Sequence, residues 1–135
     1  MSEADVDLSG DWVGIYNYPA LYGPTQFQAT LRDEGGRVSG ETIERDESIT
    51  AGAILRALLD GRHDGAILSF VKIYEDESFN HEMVHYQGRI EAGGDEISGT
   101  WEVPGISWSG SFIMVRGTGA SEAIERRIAE TIDQI

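Results

Sequence analysis

Lys72 is the only lysine among the 135 residues, and it stands in the strand-like run AILSFVKIYE. Alternation of side chains along a strand puts Phe70, Lys72 and Tyr74 on the same face. An ammonium group in such surroundings can hold a carboxylate, or polarise a carbonyl or enolate oxygen. Codon preference also explains a lone lysine, since nine of the ten basic residues are arginine. Whether Lys72 has a special role therefore depends on what its side chain faces.

Glu82 is the best internal partner for this ammonium group. It belongs to the next strand-like run, EMVHYQGRI, and shares one face of that run with Tyr86. A buried charge is costly unless it is paired, so we expect Glu82 to meet Lys72 while Tyr74 and Tyr86 add hydrogen bonds. Two interpretations stay open: a Lys–Glu pair that only stabilises the fold, or a polar anchor for a small molecule.

The elements that position these residues are predicted to be short strands, because glycine-rich turns separate segments that alternate with a period of two. The eight predicted strands are residues 10–18, 25–33, 37–45, 53–61, 66–74, 82–90, 96–103 and 106–116. The fourth, AILRALLDG, could equally form a short helix. After Gly119 the spacing of Ile124, Ile128, Ile132 and Ile135 predicts an amphipathic helix over 121–135, with Ser121 as its cap.

One choice of parity per strand gives an inward face that holds all three tryptophans and repeatedly a glycine. Glycines at such positions let a sheet bend where a barrel closes. We therefore predict an all-β, eight-stranded antiparallel up-and-down barrel over about 8–117, with the helix outside and 1–135 as a single domain. Eight strands can enclose one small ligand. The expected ligand-lining residues are Tyr16, Phe27, Phe70, Lys72, Tyr74, Tyr86, Trp101, Trp108, Phe112 and Met114.

The two ends of the predicted barrel resemble a known superfamily. LSGDWVGIY near the start and FIMVR in the last strand are similar to the two ends of the calycin signature of lipocalins, fatty-acid-binding proteins and avidins. The resemblance implies that Trp12 closes one end of the barrel and that Arg116 packs over it. The terminal helix is also lipocalin-like. The pattern F-x-K-x-Y followed by V-x-Y-x-G is similar to uncharacterised bacterial calycin-like proteins.

Two functions from different classes fit an aromatic barrel with a few inward polar groups. As a binder, the barrel holds an apolar or aromatic molecule whose carbonyl or carboxylate is anchored by Lys72 and the tyrosines. As a cofactor-independent isomerase, lyase, decarboxylase or cyclase, it uses Lys72, Tyr86 and Glu82 for proton transfer and oxyanion stabilisation. A purely structural module is the third alternative and predicts a filled barrel.

Composition excludes several other classes of function. A net charge of −14 repels phosphate backbones and anionic membranes, so we expect neither nucleic acid nor membrane as a partner. The chain has no cysteine, no basic-apolar leader and no membrane-length apolar run, which predicts a cytoplasmic protein. His63 in a turn, His81 in a loop and His85 on an outward face predict no metal site. We expect no cofactor.

The outward faces are expected to be polar, and two of them are not. The first apolar patch, on the first and last strands, can be covered by the terminal helix. The second comprises Ile67, Val71 and Ile73 with Leu58 beside them. Because the helix cannot also reach this second patch, we expect a homodimer through the outer face of the fourth and fifth strands.

Overall fold

The computed structural model describes residues 6–17, 24–46, 53–75, 83–91, 93–105, 108–117 and 119–133. In these ranges it contains eight strands and one helix. The strands are β1 (Gly10–Tyr16), β2 (Thr25–Glu34), β3 (Arg37–Asp46), β4 (Ala53–Asp64), β5 (Ile67–Tyr74), β6 (Met83–Ile90), β7 (Glu96–Val103) and β8 (Trp108–Arg116), and the helix is α1 (Ala120–Asp133).

The eight strands form a closed barrel in sequence order, with every neighbouring pair antiparallel and β8 returning to β1. The predicted fold class is confirmed. The fourth segment is a strand, which removes the helical alternative, and it is longer than predicted because its alternation continues to Asp64. Along β4 the side chains of Leu55, Ala57 and Leu59 are buried, while those of Ile54 and Leu58 are exposed.

The interior is built from the inward side chains of all eight strands, as the parity argument predicts. Glycine is required where strands and rings approach closely. A Cβ atom at Gly14 would collide with the Phe27 ring and would lie 2.8 Å from the carbonyl oxygen of Ile113. Gly14 therefore leaves room for the Phe27 ring against β1, and a bulkier residue would displace that ring.

The terminal helix α1 packs against β1 and β8, which is the location expected for it. Ile124 is fully buried there, and Ile15 beneath it is 2% exposed. The helix begins at Ala120, and the carbonyl of Gly119 accepts the first helical hydrogen bond, from the amide of Ala123. The predicted cap, Ser121, lies inside the first turn instead. The side chain of Ile132 and the whole of Ile135 lie outside the described residues.

The two ends of the barrel differ in the length of their connections. At one end, called the turn end, the chain reverses through residues 35–36, 65–66 and 91–95. At the other, called the loop end, the connections span 17–24, 47–52, 75–82 and 104–107. Long connections at one end of a rigid scaffold are where binding sites are usually built.

The turn end is closed by the segment before β1. Leu8 is fully buried, and its carbonyl accepts a hydrogen bond of 2.9 Å from the indole nitrogen of Trp12. The guanidinium of Arg116 lies 4.8 Å from the centre of the Trp12 ring and donates to the carbonyl of Ser9. This is the arrangement that the calycin resemblance implies for Trp12 and Arg116. Within the part of the chain that the structure describes, no helix is long and apolar enough to cross a membrane.

Candidate functional site

Lys72 points into the barrel at the loop end and pairs with Glu44 of β3. Its ammonium nitrogen Nζ lies 3.2 Å from Glu44 Oε2, and the two side chains are only 3% and 2% exposed. Inward parity places both there: Lys72 is two residues before the end of β5, and Glu44 is two before the end of β3. The site therefore contains a fully enclosed ion pair.

Two tyrosines complete the hydrogen bonding of the Glu44 carboxylate. The hydroxyl of Tyr16, the last residue of β1, donates to Oε1 over 2.7 Å, and that of Tyr74, the last residue of β5, donates to the same oxygen over 2.9 Å. With Lys72 on the other oxygen, the carboxylate accepts three hydrogen bonds. These four residues are called the polar cluster below.

Aromatic rings surround the ammonium group of the polar cluster. Nζ lies 4.7 Å from the ring centres of Tyr16 and Tyr74, 5.3 Å from that of Tyr86 and 5.9 Å from that of Phe27. Ring faces attract a cation electrostatically, and the attraction grows where water is excluded. The charge of Lys72 is thus stabilised by one carboxylate and four rings.

Electrostatics fix the protonation states of two members of the cluster. Burial by itself lowers the pKa of Lys72, but Tyr86, Tyr74 and Glu44 outweigh it and hold that pKa well above its ordinary value. Burial raises the pKa of Tyr74; the Lys72 charge opposes this rise, and the Glu44 carboxylate adds to it. At neutral pH, Lys72 is consequently a cation and Tyr74 a neutral phenol that donates its proton to a hydrogen bond.

Two groups of aromatic residues pack beside the polar cluster. Phe70 stacks on Tyr86 with their ring centres 4.7 Å apart, and Phe112 meets both rings edge-on. Trp101, the cross-strand partner of Tyr86, meets Tyr16 and Trp108 edge-on. Extended aromatic clusters therefore lie next to the buried charges.

The structure brings most of the predicted lining residues into this region, with two differences. Trp108 is predicted inside, but it is the first residue of β8 and remains 41% exposed at the loop end. Met114 is fully buried, but it lies two residues from Arg116, on the turn-end half of β8. Glu82, the predicted partner of Lys72, lies outside the described residues.

Glu44 is the important residue that sequence reasoning missed. Its signal was available, because Val38, Gly40 and Thr42 share one parity on the third predicted strand, and Glu44 is the next residue of that series. The prediction pairs Lys72 with a carboxylate of the next strand, whereas Glu44 belongs to β3, two strands away from β5 around the barrel. The Lys72 side chain extends over the inner face of β4 to meet it.

A second buried pair, at the turn end, corrects the interpretation of His63. This residue was expected in a turn at the surface, but β4 extends through it and turns it inward. Its Nε2 lies 2.6 Å from Asp33 Oδ2, and both side chains are 2% exposed. The same carboxylate accepts the backbone amides of Leu8 and Gly36. The His63–Asp33 pair thus fastens the closing segment to the barrel.

Other candidates for chemistry are few in the described ranges. His85 is exposed on β6, as expected, and His81 lies outside those ranges. Among the residues that the structure describes, no group of three or more potential metal ligands converges.

In comparisons with known proteins, no family model and no curated protein matched the chain. The function must accordingly be argued from the polar cluster and its surroundings.

Proposed function

We propose that the barrel binds a small, largely apolar or aromatic molecule, and that the polar cluster anchors a carbonyl or carboxylate oxygen of that molecule. The supporting observation is the enclosure of Lys72 and Glu44 by aromatic rings at the loop end. The entry route is the loop end, where the long connections leave the barrel. We also propose that the protein is a distant calycin-like barrel, supported by the Trp12–Arg116 contact.

The energetic cost of the polar cluster favours a role beyond stability. Desolvating two charges costs several kcal/mol each, and apolar residues of similar volume often stabilise a fold as well or better. The rest of the interior shows that apolar filling is available to this barrel, since Leu59, Leu68 and Ile97 are at most 3% exposed. Selection for fold stability alone therefore explains poorly why the chain keeps its only lysine here.

Binding is better supported than catalysis. A general acid or base works best when its pKa lies near the working pH, but the pKa of Tyr74 is raised by burial and that of Lys72 is held high. The Glu44 carboxylate already accepts three hydrogen bonds, which use three of its roughly four acceptor sites and stabilise its charged form against taking up a proton. These groups are suited to holding an oxygen atom in place.

The first test asks whether the protein carries a ligand. The protein is purified in the cold without detergent or organic solvent, and native mass spectrometry compares its mass with that of the denatured chain. Binding of 2-acetylnaphthalene and 2-naphthoate, a ketone and a carboxylate, is measured by calorimetry. A retained molecule or a bound probe supports the proposal. No retained mass together with no binding of either probe contradicts it, and probe consumption would indicate the enzymatic alternative.

The second test asks whether the polar cluster is the anchor. The double variant Lys72→Met with Glu44→Gln removes both charges together, so no charge is left unpaired. It should stay folded and bind the same probes at least about tenfold more weakly, equivalent to about 1.4 kcal/mol. Arg32→Met, a change of the same kind at an exposed position of β2, is the matched control. Equal affinities of the double variant and the wild type would exclude the anchor.

We further propose that two copies of the chain associate through the outer faces of β4–β6. Leu58, Ile73 and Met83 are partners across these three strands and are 52%, 37% and 45% exposed. Although the whole chain carries a charge of −14, the exposed charged side chains of these strands are three arginines and two aspartates. They are Arg56, Arg62, Arg89, Asp60 and Asp64. A second copy can therefore approach this face without the repulsion expected elsewhere.

Sedimentation velocity tests the dimer. Leu58→Glu and Val71→Glu each place a charge in the proposed contact and should convert a wild-type dimer into monomers. Gln28→Glu, at an exposed position of β2, adds the same charge away from this face and should leave the dimer intact. A wild-type protein that sediments as a monomer would contradict the proposal.

A further inference from the structure

Thr42 carries a buried hydroxyl that meets no hydrogen-bonding group of the described residues. The residue is 2% exposed, and within that part of the chain its Oγ1 has no hydrogen-bond partner. It faces the interior two residues before Glu44 on β3, and its cross-strand partners are Ala29 and Ala57. The inward wall of the barrel is therefore lined by small side chains on both sides of this hydroxyl.

An unpaired hydroxyl in the core is unfavourable, because folding removes its hydrogen bonds to water and returns none. Valine has the same shape and avoids this cost. A threonine at this position is thus not explained by packing, in contrast with Tyr16 and Tyr74, whose hydroxyls both bond Glu44. Its hydroxyl is available to a molecule that enters the barrel.

Charge balance in the polar cluster restricts what that molecule is. Among the described residues, Lys72 and Glu44 neutralise each other, so an anionic ligand would bring a second carboxylate beside Glu44, and like charges in one buried site repel. A cationic ligand would meet the Lys72 ammonium. That ammonium has three N–H donors, and one of them bonds Glu44. A neutral oxygen can accept another without adding charge.

We propose that Thr42 is a ligand-binding residue and that the ligand is a neutral molecule with two oxygen atoms. One oxygen accepts from Lys72, and the other bonds the Thr42 hydroxyl. This inference rests on the proposed binding function and refines its ligand class from carbonyl or carboxylate compounds to neutral ones. Since Thr42, Glu44 and Lys72 are enclosed, binding requires interior side chains to move aside.

Three single-ring probes and one substitution test the inference. 4-Hydroxyacetophenone carries two neutral oxygens at opposite ends of its ring, acetophenone lacks the hydroxyl, and 4-hydroxybenzoate replaces the ketone with a carboxylate. Binding to the wild type and to Thr42→Val is measured by ligand-detected NMR. Thr100→Val, at an exposed position of β7, is the control. Urea unfolding of each variant is followed in parallel.

We expect Thr42→Val to unfold at the same urea concentration as the wild type or a higher one, because it removes an unpaired polar group. It should bind 4-hydroxyacetophenone about fivefold to tenfold more weakly and acetophenone equally well. Equal binding of 4-hydroxyacetophenone by both proteins overturns the role of Thr42 and leaves the binding function standing. Tighter binding of 4-hydroxybenzoate than of 4-hydroxyacetophenone overturns the neutral ligand class only. No binding of any probe to the wild type counts against both proposals.

Discussion

Replacing Lys72 with methionine separates the cost of the buried charges from that of packing. Methionine retains most of the apolar stem, so the main change is the loss of the ammonium group. Glu44 then stays enclosed without its cation, and breaking a buried pair in this way costs about 3–5 kcal/mol. Because Tyr16 and Tyr74 still donate to Glu44 Oε1, we expect the lower end of that range, about 3 kcal/mol.

Adding Glu44→Gln to Lys72→Met should recover at least half of this loss. The glutamine carbonyl still accepts the phenol hydrogen bonds, and no unpaired charge remains. The two changes are therefore strongly non-additive, which a double-mutant cycle measures directly as the coupling between the two side chains. Glu44→Gln alone completes the cycle, and it should also destabilise because the Lys72 ammonium loses its counter-ion.

Urea unfolding followed by tryptophan fluorescence provides the measurement. With a denaturant slope of about 1–3 kcal/mol per molar urea, a loss of 3 kcal/mol lowers the midpoint by about 1–3 M. Arg32→Met, at an exposed position of β2, should leave it unchanged within error. A Lys72→Met midpoint within about 0.3 M of the wild type, or additive effects of the two substitutions, would refute the view that these charges depend on each other.

Three other predictions follow from the buried groups and the close packing. The pKa values of Tyr74 and Lys72 are both raised in the folded state. The stability that these groups contribute is therefore complete below their unfolded pKa values and is lost as pH rises from those values through the folded ones. Urea midpoints should fall as pH rises beyond about 10. His63→Ala removes one hydrogen bond from the buried Asp33 carboxylate and should cost about 1.5–3 kcal/mol in urea unfolding. Gly14→Ala overpacks the barrel and should cost about 1–3 kcal/mol in the same assay.

Each of these predictions has a clear contrary result. Midpoints that stay constant from pH 9 to about pH 11 would mean that the unfolded and folded chains lose these protons together. Gln28→Ala, at an exposed position of β2, is the control for His63→Ala, and equal stabilities of the two variants would contradict the importance of the turn-end pair. An unchanged midpoint for Gly14→Ala would show that the Phe27 ring turns aside at little cost.

The fold could be predicted because its determinants are local. Alternation assigns a face to each residue from its own strand, and turn residues such as Gly35 and Gly65, both with positive φ, mark where strands end. The limits of β4 were less certain, because Gly61 looks like a stop signal when the chain is read in order. In the barrel it lies mid-strand opposite Phe70, where only a glycine fits against the neighbouring backbone.

The site could be predicted only in part, because its pairings join distant strands. Alternation along each strand correctly placed Lys72, Tyr74 and Tyr16 inside the barrel. It does not identify which side chains of different strands contact each other there. The ammonium passes over β4 to reach Glu44, and His63 reaches Asp33 from a strand that is not paired with β2. Partner choice of this kind depends on the curvature and register of the closed barrel.

The enclosure of the only lysine has a practical consequence for labelling chemistry. Acylating reagents that target side-chain amines find their single ε-amine at Lys72, which is 2% exposed and paired. Its modification must wait for the barrel to open, whether locally at the loop end or globally. The acylation rate of Lys72 therefore reports how often the barrel opens, and mass spectrometry measures it without any engineered probe. A molecule bound inside the barrel would lower this acylation rate.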